Sequence, residues 1–262
     1  MSAARGEINH DLLEILKLHQ NLDEPITCCI SLWRNARYRP RGYLGKIAES
    51  SGISDVSLSI FSDSFQCLEN ETSINSNRIC RSEVLRLGAM YREGNVSATE
   101  LFLAAMVWGN GRTGYGPYRT SVALNIPRKN NVTPISVIET VGSLAGEGKI
   151  EAAYLTMKNA MWRIGPAFGT KFIYFASPPE ANAPIFDGVV AGWESKDIPW
   201  VSSSSTAWKW DWDVYNLYRN WSSQQFDMLR AQDHLDGISS FRSDGSLYMD
   251  VVEASIFSSM NQ

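Results

Sequence analysis

The chain is poor in metal-binding and redox spacings. Its three histidines, His10, His19 and His234, form no His-Glu-x-x-His pair. Its four cysteines stand at positions 28, 29, 67 and 80. Neither the adjacent pair nor the wider gaps repeat a Cys-x-x-Cys unit, so free thiols are expected, with no metal and no cofactor. Long apolar runs are missing too. No stretch approaches the roughly 18 residues a membrane helix needs, and the opening MSAARGEINHDLLEILKLHQ lacks the unbroken apolar core of a secretory signal. A cytoplasmic, monomeric protein without membrane contact is expected. Positive charge is in short supply: 24 basic against 28 acidic side chains give a net charge of −4, which argues against a protein that coats nucleic acid indiscriminately. No internal repeat is visible, and the one low-complexity stretch, Ser202 to Ser205, reads as a loop.

What is present is enough for a sizeable core. At 262 residues and 44% hydrophobic content, the chain can fold as one unit, with approximate lobes at 1–95 and 96–262 sharing a cleft. Its charge is unevenly spread. Residues 180 to 262 hold 12 acidic and 5 basic side chains, net −7, which leaves net +3 for the remainder. Between Leu101 and Ile138 there is no acid at all, yet Arg112, Arg119, Arg128 and Lys129 occur there. A second run, RNARYRPRGYLGK from Arg34 to Lys46, interleaves five cations with two tyrosines and no acid. Both runs offer local anion-binding surfaces, or simply solvated loops.

The periodicity is mainly helical. Leu12, Ile15, Leu16 and His19 share one helical face, and SATELFLAAMVWG opens with a Ser97/Glu100 capping box before an almost wholly apolar run. From Lys149 to Arg163 apolar residues recur every three or four positions; Asp211 to Arg230 does the same, and Asp250 and Glu253 cap a last short helix. Only VSLSIF, Val56 to Phe61, alternates like a strand. The expected fold is therefore mainly α, with a small β element near the N-terminus.

The stretch RIGPAFGTKFIYFASPPEANAPIFDGVV, residues 163 to 190, carries the sharpest signal. A tight turn over Gly165 to Gly169 would join a helix ending at Ile164 to one running from Thr170 to Ala176. Exposed amides beside a helix N-terminus can hold one phosphate without reading a base; Gly165, Ala167, Gly169 and Thr170 are the candidates. An ordinary αα-corner has the same pattern.

IGPAFGTKFIYF followed by PIFDGVVAGW resembles the hairpin, Gly/Pro-rich loop and aspartate of the helix-hairpin-helix DNA glycosylases, closest to their 8-oxoguanine branch. The match covers mainly residues 97 to 193. WGNGRTGYGPYR and DVVEASIF are similar to a stand-alone bacterial subgroup. Two departures stand out: Ala167 occupies the register of the first hairpin glycine, and Gly188 follows the aspartate. The iron–sulfur cysteine cluster of another branch is absent.

The resemblance implies two helical lobes around a cleft and double-stranded DNA containing a modified base as partner. Asp187 would be the carboxylate that stabilises the oxocarbenium-like sugar as the N-glycosidic bond breaks, and orients water. Read alone, it is a helix N-cap. Lys171 would attack the sugar and add lyase activity, its flanking aromatics favouring the neutral amine; otherwise it is a phosphate contact or a solvated lysine. Trp108, Arg112, Tyr115, Tyr118 and Arg119 would hold an extruded base or touch DNA, against core packing as the plain alternative. The implied substrates are oxidised guanine or, as in an anti-phage relative, glucosylated hydroxymethylcytosine. A non-catalytic DNA-binding module is the competing class.

Overall fold

The computed structural model describes residues 7–18, 21–58, 62–128, 132–197, 209, 211–242 and 244–260. His19, Phe61, Lys129, Ser202 to Ser205 and most of the tryptophan-rich stretch 200–212 lie outside them. In chain order the described elements begin with α1 (His10–Leu18), β1 (Ile26–Thr27), α2 (Ile30–Arg34), β2 (Arg37–Tyr38), α3 (Gly42–Ser50), β3 (Val56–Ser57), α4 (Ser62–Glu71) and β4 (Arg78–Ile79). Helices follow: α5 (Arg81–Arg92), α6 (Ala98–Asn110), α7 (Tyr115–Asn125), α8 (Pro134–Gly146), α9 (Ile150–Ala160), α10 (Pro166–Ala176), α11 (Gly188–Asp197), α12 (Trp212–Ala231) and α13 (Asp250–Met260). The fold is mainly helical.

Helix α6 is the axis because its sequence leaves it almost no polar face. It is buried along nearly its whole length, and its start is closed by the expected capping box: Ser97 accepts the Glu100 amide at 3.2 Å while the Glu100 carboxylate accepts the Ser97 amide. Helices α4, α5, α7, α8 and α10 pack around it. Aromatic edges fill the α6–α10 seam, with Phe102 against Phe172 and Trp108 against Phe175, each pair at 5.3 Å. Burying each such side chain contributes roughly 1.5–3 kcal/mol. Helices α5 and α10 meet backbone to backbone at Gly88, where a Cβ would stand 2.0 Å from the Phe175 carbonyl oxygen. Helices α1, α11 and α12 all lie on α13, which brings the two ends of the chain together.

Of the run Val56 to Phe61, the described residues 56–58 contain the strand Val56–Ser57, paired antiparallel with β2, and Ile26–Thr27 pairs with β4. Pro40, two residues beyond β2, has no N–H to extend the ladder. Beneath the β2–β3 pair, Ala48, Val56, Val122 and Ile126 form a small second core that fixes α3 against α7.

The hairpin also differs from the expected one. Helix α9 stops at Ala160, residues 161–165 make the connection with Arg163 left-handed at φ +60°, and α10 starts at Pro166. Proline sets this earlier start, since its fixed φ and missing N–H suit the first helical position. Gly169, expected in the turn, and Thr170, expected to open the second helix, are consequently both interior to α10.

Candidate functional site

Helix α10 directs Lys171 inward rather than toward solvent. Its Nζ donates to Asp187 Oδ2 at 2.7 Å. Asp187 sits just before α11, and its Oδ1 accepts the amides of Val189 at 3.0 Å and Val190 at 3.2 Å. The cap reading and the ion pair are thus both present, on different oxygens of one carboxylate. Burial pushes the Asp187 carboxyl up, but Lys171 and the two amides outweigh it and hold it below the usual carboxylate value. Asp187 is 8% and Lys171 4% exposed, so the pair is largely screened from bulk water.

Two features hold this geometry. Thr170 donates to the Pro166 carbonyl at 2.8 Å and accepts the Phe186 amide at 3.1 Å, stapling the segment that leads into Asp187 onto α10. Gly109 on α6 gives the lysine its passage, because a Cβ there would lie 2.6 Å from Lys171 Cδ.

Two recesses lie near the pair, each sharing one aromatic ring with the surroundings of Lys171, though neither Lys171 nor Asp187 lines them. The Lys171 ammonium is 6.0 Å from the Trp108 ring and 5.7 Å from that of Phe168. Trp108 lines a recess of about 380 Å³, together with Leu22, Pro25, Ile26, Arg81 and Phe257, with Asn21, Glu24 and Ser258 adding polar groups. Phe168 lines a second, of about 270 Å³, at the α10 N-terminus with Tyr115, Arg119, Arg163 and Ala167. Arg119 lies 4.4 Å over Phe168 and 4.9 Å over Tyr115, and its buried Nε has no hydrogen-bond partner among the described residues.

The residues expected to gather around a base are therefore divided. Trp108 belongs to the larger recess. Tyr115 and Arg119 belong to the smaller one, beside Gly165 and Ala167. Tyr118 packs on Tyr38 at 4.9 Å, and Arg112 is exposed at the surface. Gly169 and Thr170 depart from their expected phosphate role: both are buried, the Gly169 amide is bonded to the Gly165 carbonyl, and the Thr170 hydroxyl is committed within the protein.

Sequence reasoning missed Arg81 and misread its partner. Glu253 and Asp250, expected to cap α13, stand in its first turn and also hold arginines, Glu253 one 172 positions away and Asp250 one 8 positions before it. Arg81 donates to both Glu253 oxygens, at 2.5 and 3.3 Å, and Asp250 accepts from Arg242 at 2.8 Å and from the Tyr174 hydroxyl at 2.7 Å. Arg81 lies 5.0 Å over Trp108. Burial raises the Glu253 carboxyl above its ordinary value against the pull of Arg81, with the Asp187 charge adding to the rise. The signal available was the i, i+4 placement of Glu253 and Phe257, which puts both on one face of α13. Among the described residues no group of three or more His, Cys, Asp or Glu could hold a metal ion, and no helix is long and apolar enough to cross a membrane.

Residues 52–257 match the model of the family described as 8-oxoguanine DNA glycosylase OGG-like protein. No curated protein and no solved structure matches the chain.

Proposed function

We propose that this chain, which belongs to the 8-oxoguanine DNA glycosylase OGG-like family, excises a modified base from duplex DNA by cutting the N-glycosidic bond and leaving an abasic site. Family membership carries DNA as the substrate and base excision as the chemistry. The observation that supports the assignment of residues is the buried Lys171–Asp187 pair, whose ammonium lies 6.0 Å from Trp108 of the larger recess and 5.7 Å from Phe168 of the smaller.

In this reading the smaller recess receives a backbone phosphate. The Ala167 amide at the start of α10, the helix dipole, Arg119 and Arg163 all favour an anion there. The larger recess receives the extruded base against Trp108 and Phe257. Two of the five Arg81 donors are taken by Glu253, so the guanidinium retains N–H groups for acceptors on the base. Asp187 opposes the positive charge that builds on the sugar as its bond to the base lengthens, and the depressed value of its carboxyl keeps it ionised at neutral pH. Water adds to the sugar carbon as the base leaves with the bonding electron pair and is protonated.

The volume of the larger recess, about 380 Å³, falls in the range of roughly 300–1,000 Å³ typical of small-molecule sites. Its mixed lining of aromatic and polar side chains suits a base carrying a hydroxylated substituent, which favours glucosylated hydroxymethylcytosine in phage DNA and an antiviral role. Excision screened on glucosylated, oxoguanine and unmodified duplexes tests this. Release from the oxoguanine duplex alone would replace it with a repair function.

Strand cleavage is a second reading, favoured by the 2.7 Å contact that holds Lys171 beside the carboxylate assigned to the sugar, with the ammonium giving its proton to the departing base. The freed amine would form a bond to the sugar carbon as the base departs, and the resulting Schiff base would permit elimination of the 3′ phosphate. Borohydride trapping decides it: an enzyme that releases base yet yields no covalent protein–DNA adduct is monofunctional.

A further inference from the structure

The basic run Arg34 to Lys46 lines neither of the two recesses described above, and it lies ahead of the family match, which begins at residue 52. All five of its cations are exposed. Arg34 is paired with Glu69 at 2.6 Å, and Arg37 is 3.9 Å from Asp55. Arg39, Arg41 and Lys46 have no ion-pair partner among the described residues, and Glu49 is the one acid on α3.

The fold carries this run to the hairpin along two routes. Through β2, Tyr38 stacks edge-on against Tyr118 at 4.9 Å and its hydroxyl donates to the Gly114 carbonyl at 3.3 Å. Through α3, Tyr43, which is 68% exposed, meets Trp162 edge-on at 6.0 Å. Trp162 is followed by Arg163, which lines the smaller recess and lies 5.9 Å over Tyr115 and 5.8 Å over Tyr118. Helix α7, on which the run rests, belongs to the acid-free stretch between Leu101 and Ile138. The unpaired cations and the recess are thus joined through Tyr38, Tyr43 and Trp162, while the acids gather in residues 180 to 262, net −7, and in 47 to 77, where Glu49, Asp55, Asp63, Glu69 and Glu71 stand without a base.

We propose that Arg39, Arg41 and Lys46, with Tyr43 beside them, are a second contact for the sugar–phosphate backbone of duplex DNA, carrying the footprint from the hairpin recess along one flank of the lesion. Exposed cations of this kind bind by releasing counterions and carry no base preference. They would set register and affinity without touching the extruded nucleotide. This rests on the reading of DNA as substrate.

The test is the salt dependence of binding to an unmodified duplex. Each phosphate contact contributes about 0.9 to the slope of log K against log salt. The variant carrying Arg39→Ala, Arg41→Ala and Lys46→Ala should lose about 2 to 3 in slope, and each single substitution about 0.9. Its melting midpoint should match wild type, because the side chains are exposed. A control carrying Lys17→Ala and Arg230→Ala, at exposed cations elsewhere, should keep the wild-type slope. An unchanged slope in the triple variant overturns the inference, as does an equal loss in the control. A wild-type protein without salt-dependent duplex binding sinks the DNA reading itself.

Discussion

Replacing Glu253 by Gln removes one charge from a pair that is almost wholly screened from water. The Arg81 and Glu253 side chains are 4% and 1% exposed, and the arginine is wedged among Trp108, Phe241 and Tyr174, at 5.0, 5.1 and 5.6 Å. The remaining guanidinium would keep its charge without its hydrogen-bonded counter-ion, with only Asp250 acting on it from further off, a loss of about 3–5 kcal/mol. At about 2–4 °C per kcal/mol for a domain near this size, the melting midpoint should fall by about 6–20 °C. Replacing both partners by apolar residues, as in Arg81→Met with Glu253→Leu, removes the desolvation cost together with the attraction. That double variant should melt near wild type or above it. Its base discrimination should nevertheless drop, since the recess then lacks the Arg81 donors. Thermal melting of the three proteins side by side gives the answer. A Glu253→Gln midpoint within about 2 °C of wild type, less than 1 kcal/mol is worth, would refute a buried pair.

Three further outcomes follow from the site. Gly109→Ala puts a methyl 2.6 Å from the Lys171 stem; the flexible lysine gives way, so excision should fall by about tenfold or more while the melting midpoint moves little, in single-turnover assays beside thermal melts. Thr170→Val leaves the Phe186 amide buried and unpaired, which should cost about 1–3 kcal/mol by denaturant unfolding. The lowered value of the Asp187 carboxyl makes its stabilisation fully present above the unfolded value of about 3.9 and lost as pH falls through the folded one. The gap in melting midpoint between wild type and Asp187→Asn should therefore hold steady from about pH 5 to 8 and close on further acidification; a gap that widens with acid would contradict the sign.

Local rules carried the fold where one neighbour decides the outcome. The Ser97/Glu100 box and the apolar run after it specify α6 completely, since a helix apolar all round has to be buried. The hairpin was readable as two helices, but its glycines drew the turn too late; Pro166 at the first helical position was the better marker. The partner of Val56–Ser57 was not legible, because Arg37–Tyr38 shows no alternation of its own and Pro40 follows close behind it. Asp187 and Lys171 are 16 residues apart, and the hairpin motif brought both to notice. Arg81 and Glu253 are separated by 172 positions, and no local pattern links α5 to α13. Long-range ion pairs of this kind are set by the closing of the core, which periodicity does not encode. For the same reason the aromatics of WGNGRTGYGPYR could not be sorted between two recesses before α6, α7 and α10 were packed.

The most direct measurement is base release by Asp187→Asn on a modified duplex that wild type processes, with duplex binding measured on the same preparations. The account predicts retained binding and a collapse in abasic-site formation of about a hundredfold or more. Wild-type rates of release from the Asn variant would contradict it, and binding without release by either protein would leave a DNA-binding module in place of an enzyme.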